Sequence, residues 1–249
     1  MIKEYVNTIE RMCGKYSAWQ IWNDFISICA IAIVNACDLA RAPEREERYL
    51  QIVGKYDKKE LEIFCKLLAK LVADLEKCAK QDILGEVYHA LSINSKVNAQ
   101  YFTPYNVSEM MARMTIGPKD FKDEPQIVSE PTCGSGANLI AIANIMKEKG
   151  VNYQRNVYFV AQDIDSLVAK MCYIQMSLLG MPGIVIVGDT LSSPMKGDYW
   201  LTPFHFMFGI SILQRHKKKQ KQEAESRQKE SVVHDSDWLL ELVGIGSLH

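Results

Sequence analysis

Much of what would announce a function is missing from this chain. Its 249 residues carry a formal net charge of −1, so no global positive field marks it as a binder of nucleic acid, and any such contact must come from a local patch. The seven cysteines form no C-x-x-C pair and no regular framework. Scattered cysteines of this kind suit a reducing cytosol, where most act as small buried hydrophobes. The five histidines (89, 205, 216, 234, 249) show no metal-ligand spacing, and Cys133 has no base partner evident in the sequence. Zinc hydrolase and nucleophile-triad chemistry are therefore poor readings, and no metal site is expected. No basic segment leads into an apolar run at the N-terminus, so no signal peptide is expected. The most apolar stretch, Phe25 to Ala36, falls far short of the roughly 20 residues of a membrane helix and reads as buried core helix. A cytoplasmic protein without a membrane partner is the expectation.

What is present falls into three parts. Residues 1–92 read as a helical region: Leu61, Phe64, Leu67, Leu68, Leu71, Val72 and Leu75 recur at three- and four-residue intervals, with Lys and Glu between them. Ala42-Pro43-Glu44 breaks the preceding helix, and Arg45 to Arg48 reads as a solvated charge run. Residues 93–210 change in texture. Three β-rich runs, Gln126 to Ser129, Val157 to Ala161 and Ile184 to Val187, alternate with helical patterns, which argues for βαβ units and a parallel sheet. The first crossover helix is expected from Gly136 to Lys149, stopping at Gly150; the second follows Asp165 as N-cap and stops at Gly180. Tyr199 to Phe208 reads as a fourth strand, at an edge or broken because Pro203 sits in its middle. Residues 211–249 are a tail, with Gln214 to Glu230 either a solvated helix or a flexible linker and Trp238 to Val243 a short docking helix.

The chemistry concentrates at strand ends. Ile127-Val-Ser-Glu130-Pro-Thr132-Cys133-Gly134-Ser135-Gly136 is a strand ending in an acid, a glycine turn and a helix start. Glycines remove Cβ atoms where the backbone must turn sharply and a ligand must approach closely. The turn lacks a third glycine and the Gly-Lys-Ser/Thr of phosphate loops, which favours a cofactor without a pyrophosphate and argues against NAD and ATP. The second strand ends in Gln162-Asp163-Ile164-Asp165 and the third in Gly188-Asp189-Thr190. Asp163 is placed to accept both ribose hydroxyls of an adenosine, Asp189 to accept from an adenine amino group, and Asp165 to cap the next helix. Singly, an acid at a strand end is more often a cap; three at one sheet edge make that account less attractive. Upstream, Tyr101-Phe102-Thr103-Pro104 precedes a helix, with Thr103 as N-cap and Pro104 at the first helical position.

Gln-Tyr-Phe-Thr-Pro followed about thirty residues later by acid-Pro-x-Cys-Gly-Ser-Gly resembles the adenine-specific (N6) DNA methyltransferases, most of all the modification subunits of type I restriction systems. The resemblance covers roughly residues 85–195. It implies an α/β, Rossmann-like methyltransferase core that binds S-adenosylmethionine. Tyr101, Phe102, Thr103 and Pro104 with Glu130, Thr132, Cys133, Gly134, Ser135 and Gly136 would embrace the methionine half. Asp163 and Ile164 would then take the ribose side, and Asp189 and Thr190 the adenine. DNA is the implied substrate.

Those enzymes carry an Asn/Asp-Pro-Pro-Tyr/Phe segment after the next strand, whose polar head orients the target amino group and whose ring stacks on a flipped-out base. It is absent here. Leu201-Thr202-Pro203-Phe204 is the nearest segment, and it leaves Pro203 and Phe204 as weak catalytic candidates. Leucine accepts no hydrogen bond, so Leu201 cannot orient the amine. The stretch after Asp189 is also too short for the further strands of a full sheet, at roughly 30 residues per strand and crossover helix. Two readings follow: a methyltransferase or methyltransferase subunit completed by a second copy or a specificity partner, or an inactive relative that binds cofactor or partners. RNA or protein as acceptor also stays open, because a cofactor half does not name its acceptor. The basic run Arg215 to Lys221 is followed by Glu223, Glu225 and Glu230 and reads as a solvated tail rather than a docking arm.

Overall fold

The computed structural model describes residues 1–92, 101–116, 124–194 and 196–225. Five helices come first: α1 (Ile2–Arg11), α2 (Ala18–Asn35), α3 (Ala42–Val53), α4 (Lys58–Lys77) and α5 (Ile83–Ser92). Local chemistry sets their ends. α4 opens on a reciprocal cap, with Glu60 N–H donating to Asp57 Oδ1 at 2.9 Å and Asp57 N–H to Glu60 Oε2 at 2.7 Å, an arrangement that stabilises a helix start by about 1 kcal/mol. Its apolar stripe buries Phe64, Leu67, Leu71 and Leu75. α2 is buried along most of its length, as its composition requires. Among the described residues no helix is long and apolar enough to cross a membrane. Pro43 lies in the first turn of α3 rather than at the end of α2. Arg45 corrects the expected charge run: its side chain is 10% exposed, pairs with the buried Asp38 at 2.9 Å and lies over the Trp200 ring.

A four-stranded sheet follows, in the order β1 (Gln126–Glu130), β2 (Val157–Asp163), β3 (Gly183–Val187) and β4 (Asp198–Leu201). The first three strands are parallel, joined through α7 (Ala137–Glu148), the short turn α8 (Tyr153–Asn156) and α9 (Ser166–Leu178). β2 is buried on both faces, which is why it reads as a nearly unbroken apolar run. Val157, Phe159 and Ala161 face a core that continues without a break into α1–α5, while Tyr158 and Val160 face Ile212 on the other side. The helical region and the sheet thus share one interior, with α2 packed on α9.

The fourth strand departs from expectation. Only Asp198–Leu201 is strand, and it runs antiparallel to β3, with Leu201 opposite Ile184 and Asp198 opposite Val187. From residue 203 the chain is helical through residue 225, with a π-turn at His205–Gly209. Pro203 therefore starts a helix instead of interrupting a strand. This helix supplies the second layer over Tyr158 and Val160. Of the expected linker, residues 214–225 are helical; the rest of it and Trp238 to Val243 lie outside the described residues. β1 has no partner strand on its outer side among the described residues, and Ile127 on it is exposed.

Candidate functional site

The carboxyl edge of the parallel strands gathers the glycine turn, the end of β2 and the loop after β3. Glu130 closes β1 and anchors the turn twice: Oε1 accepts from Thr132 N and Oγ1, each at 3.3 Å, and Oε2 from Asn138 Nδ2 at 3.0 Å. Cys133 N–H reaches across to the Gln162 carbonyl at 2.9 Å. Gly134 has φ +54° and Gly136 φ +102°, both in the left-handed region that side chains disfavour. The Cys133 thiol is buried beside Cys172, whose hydrogen bond, together with burial, holds its pKa far above the ordinary range. It is packed as a thiol, donating toward the Gly134 carbonyl at 3.5 Å.

Asp163 is the hub of the edge. Its Oδ2 accepts the Gly134 N–H at 2.9 Å and its Oδ1 the Asp165 N–H at 3.0 Å. Each oxygen keeps a second lone-pair direction, so two further donors can be taken. Asp165 instead caps α9, accepting from Leu167 N at 2.8 Å and Val168 N at 3.3 Å.

A cavity of about 340 Å³ opens here, lined by Tyr101, Phe102, Thr103, Thr132, Cys133, Gly134, Ser135, Ala137, Asn138 and Asp163. That is the size class of small-molecule pockets. The Phe102 ring stands over Gly134, so close that a Cβ there would lie 3.3 Å from Cδ1. Asn138 Oδ1 is buried on the cavity wall and has no hydrogen-bond partner among the described residues. Three large apolar side chains at this edge face water: Tyr101 is 89% exposed, Ile164 69% and Leu191 96%. Of these only Tyr101 lines the cavity; Ile164 follows Asp163, and Leu191 stands in the loop after β3.

The remaining expected residues sit close by or apart. Gly136 lies behind the turn, and a Cβ there would be 3.1 Å from Cys172 Sγ. Pro104 lines an adjoining cavity, and its carbonyl receives the first bonds of α6 (Tyr105–Ile116), from Val107 N at 2.9 Å and Ser108 N at 3.0 Å. Asp189 is engaged by its own turn, with Leu191 N at 2.9 Å and Ser192 Oγ at 2.7 Å. The Ser192 hydroxyl, then the turn's N–H groups, lower its pKa. Thr190 Oγ1 donates to the Pro131 carbonyl at 2.6 Å, tying the β3 loop to the glycine turn.

Pro203 and Phe204 are not brought to this edge. Leu201 pairs with Ile184 near the amino end of β3, and the Phe204 ring packs against Gly180 at the end of α9. Thr202 between them is fully buried, accepting from Gly183 N at 3.0 Å and donating to the Met181 carbonyl at 2.8 Å. The segment most like an acceptor motif is thus occupied with the connection between β4 and the last helix.

Two contributions escaped sequence reasoning. Asn138 has the composition of any helix-start residue. Asp82, which precedes α5, and His89 within it lie far upstream; the one available signal is Asp82-Ile-Leu-Gly85, an acid three residues before a glycine where a helix begins.

Residues 79–237 match the family model described as N-6 DNA Methylase. The methylase subunit of the type I restriction enzyme MpnII of Mycoplasma pneumoniae is 28% identical over 120 residues, covering 45% of this chain and 21% of that protein. The type I restriction-modification methyltransferase subunit of Streptococcus thermophilus aligns with a TM-score of 0.43 and 19% identity, over 67% of this chain and 36% of that one. A structure from Listeria monocytogenes described as a class I S-adenosylmethionine-dependent methyltransferase aligns with a TM-score of 0.41 and 16% identity, over 71% and 55%. The chain thus spans about a fifth of the curated relative it matches, which has 21% of its length covered.

Proposed function

The chain belongs to the N-6 DNA methylase family, and from that premise we propose that it forms the S-adenosylmethionine-binding half of a DNA adenine-N6 methyltransferase. The observation that carries the reading is the joint between Gly134 N–H and the Asp163 carboxylate. It places an acid with spare acceptor capacity beside a glycine turn, at the mouth of a cavity of suitable size. When bound, the cofactor supplies an electrophilic methyl group on sulfur. The chain's own residues bind and orient. Asp163 takes the ribose hydroxyls, and Asn138 Oδ1 offers an unpaired acceptor to a ligand N–H. Tyr101 to Pro104 and Glu130 to Gly136 enclose the methionine portion. Ile164 and Leu191 flank the adenine, and Asp189 with Thr190 closes that end.

The acceptor base must be oriented by groups other than Leu201 to Phe204, because those residues lie at the amino edge of the sheet. Methyl transfer to DNA therefore needs a partner: a specificity subunit, a second copy, or polypeptide corresponding to the remainder of the longer relatives. Binding without turnover is the second reading, and the same placement favours it for the chain on its own.

Calorimetric titration with S-adenosylmethionine tests the first half; no heat of binding at millimolar cofactor overturns it. Incorporation of labelled methyl groups into unmethylated DNA, by the chain alone and with co-expressed neighbours, tests the second. Incorporation only in the presence of neighbours is expected.

A further inference from the structure

Helix α5 belongs to the N-terminal helical region, yet it touches both segments that line the cavity. Asp82 caps it, its Oδ1 accepting from Gly85 N at 2.9 Å and from Gln175 Nε2 at 2.8 Å. Its Oδ2 accepts from the hydroxyl of Ser135, inside the glycine turn. Gln175 on α9 completes the knot: Nε2 also donates to the Ser135 carbonyl at 2.9 Å, and Oε1 accepts from Leu84 N at 3.3 Å. Asp82, Ser135 and Gln175 are all buried. A buried carboxylate is tolerated only with its acceptor sites filled, and bonds to a charged oxygen are about twice as strong as neutral ones.

Gly85 explains how the helix comes so close. A Cβ at this position would fall 2.5 Å from Ser135 Oγ and 2.1 Å from Asp82 Oδ2. No side chain separates α5 from the turn. One helical turn further on, His89 Nε2 accepts the Phe102 N–H at 3.1 Å, and the two rings lie 4.8 Å apart. Burial lowers the His89 pKa, with Asp82 opposing, and the neutral ring is the form that can accept. Phe102 is the side chain that stands over Gly134. One face of α5 therefore holds the glycine turn through Asp82 and the Tyr101–Pro104 segment through His89.

We infer that α5 is a positioning element of the cofactor site, Asp82 with Gly85 fixing the glycine turn and His89 fixing the segment that closes over it. The identity of the ligand rests on the proposed function; the mechanical claim does not. Asp82 and His89 touch the ligand-binding segments rather than the ligand, so their loss loosens the cradle, and the helical region and the ligand report on each other.

The test is amide hydrogen exchange on the full chain without ligand, followed by titration with S-adenosylmethionine. Asp82→Asn is expected to speed exchange over residues 130–138 roughly tenfold, the scale of one lost hydrogen bond. His89→Ala is expected to do the same over residues 101–105. His89→Gln, whose amide oxygen reaches the position of Nε2, restores the slow rate. Tyr5→Phe is the control: it removes a hydrogen bond to Asp74 of 2.8 Å in the same helical region and leaves both segments unchanged. If Asp82→Asn does not fold, Ser135→Ala removes the hydroxyl end of the contact and is read over the same residues. Cofactor affinity is expected to fall about tenfold in Asp82→Asn and His89→Ala and to recover in His89→Gln. Unchanged exchange over 130–138, or a glutamine variant no better than alanine, overturns the inference. A wild-type chain that binds no S-adenosylmethionine but shows the expected exchange pattern overturns the proposed function and leaves α5 in its role.

Discussion

Replacing Gly134 and Gly136 one at a time by alanine should separate folding from ligand binding, although the two lie two residues apart in one turn. Both have positive φ, +54° and +102°, so each alanine pays a left-handed penalty of about 1–2 kcal/mol. Their surroundings then differ. A Cβ at Gly136 meets Cys172 Sγ at 3.1 Å and the α9 backbone at 3.6 Å. Neither can retreat, because Cys172 is fully buried. Overpacking of this kind adds about 1–3 kcal/mol, for a total of roughly 2–5 kcal/mol. A Cβ at Gly134 meets the Phe102 ring first, at 3.3 Å, and that ring borders the cavity. Gly134→Ala should therefore cost stability little beyond its backbone strain, while the displaced ring fills ligand space and lowers S-adenosylmethionine affinity tenfold or more, about 1.4 kcal/mol. Urea unfolding, compared at constant m, gives the first quantity and calorimetry the second. A Gly134→Ala protein that loses more stability than Gly136→Ala, or binds cofactor as well as wild type, would refute the reasoning.

Three more outcomes are expected. Asp163→Ala leaves the N–H groups of Gly134 and Asp165 without their acceptor and should lower cofactor affinity at least about tenfold, measured by calorimetry; unaltered binding removes Asp163 from the site. Phe204→Ala should leave cofactor affinity unchanged and cost about 1–2 kcal/mol of stability, less than a full core deletion because the ring is half-buried; a selective loss of affinity would mean that the amino edge matters to the ligand after all. His205, bonded to Tyr158 Oη at 2.8 Å, has its pKa lowered mainly by burial. The unfolded chain then takes up the proton first on acidification. This stability is fully present above the ordinary histidine value of about 6.5 and is lost as pH falls through the lower folded value. His205→Gln should flatten that part of the stability–pH curve, and an unchanged slope would discount the residue.

The central βαβ units were readable because every boundary carried its own chemistry. Asp165 does cap α9, and Gly150 and Gly180 adopt positive φ just past α7 and α9. The last strand is shorter than its sequence suggests, although the same kind of signal is present. Thr202-Pro203 starts a helix, with His205 N–H donating to Thr202 Oγ1 at 3.3 Å, whereas at Thr103-Pro104 the helix opens one residue later than the pattern predicts, on the Pro104 carbonyl. Apolar residues on both sides hid it, since a buried strand and a buried helix start look alike over so short a run. Arg45 reads as a solvated charge in the sequence because its partner Asp38 and its cover Trp200 come from other elements. The contribution of α5 was illegible for the same reason: contacts between Asp82 and Ser135, or His89 and Phe102, are facts of packing, and no local pattern encodes them.

Strand order in this sheet equals chain order, β1-β2-β3-β4. No strand has to be inserted between two others already paired, so each can add to the one made just before it as synthesis proceeds. Each parallel pairing still waits on its crossover, α7 and α8 before β2 and α9 before β3, so the sheet grows in chain order but meets a loop-closure cost at every step. The face of α2 that packs on α9 has no cover until α9 has been made, although α3 lies against another part of the same helix. A chain cut short before α9 is therefore left with an apolar face of α2 open to water, the kind of surface that aggregates.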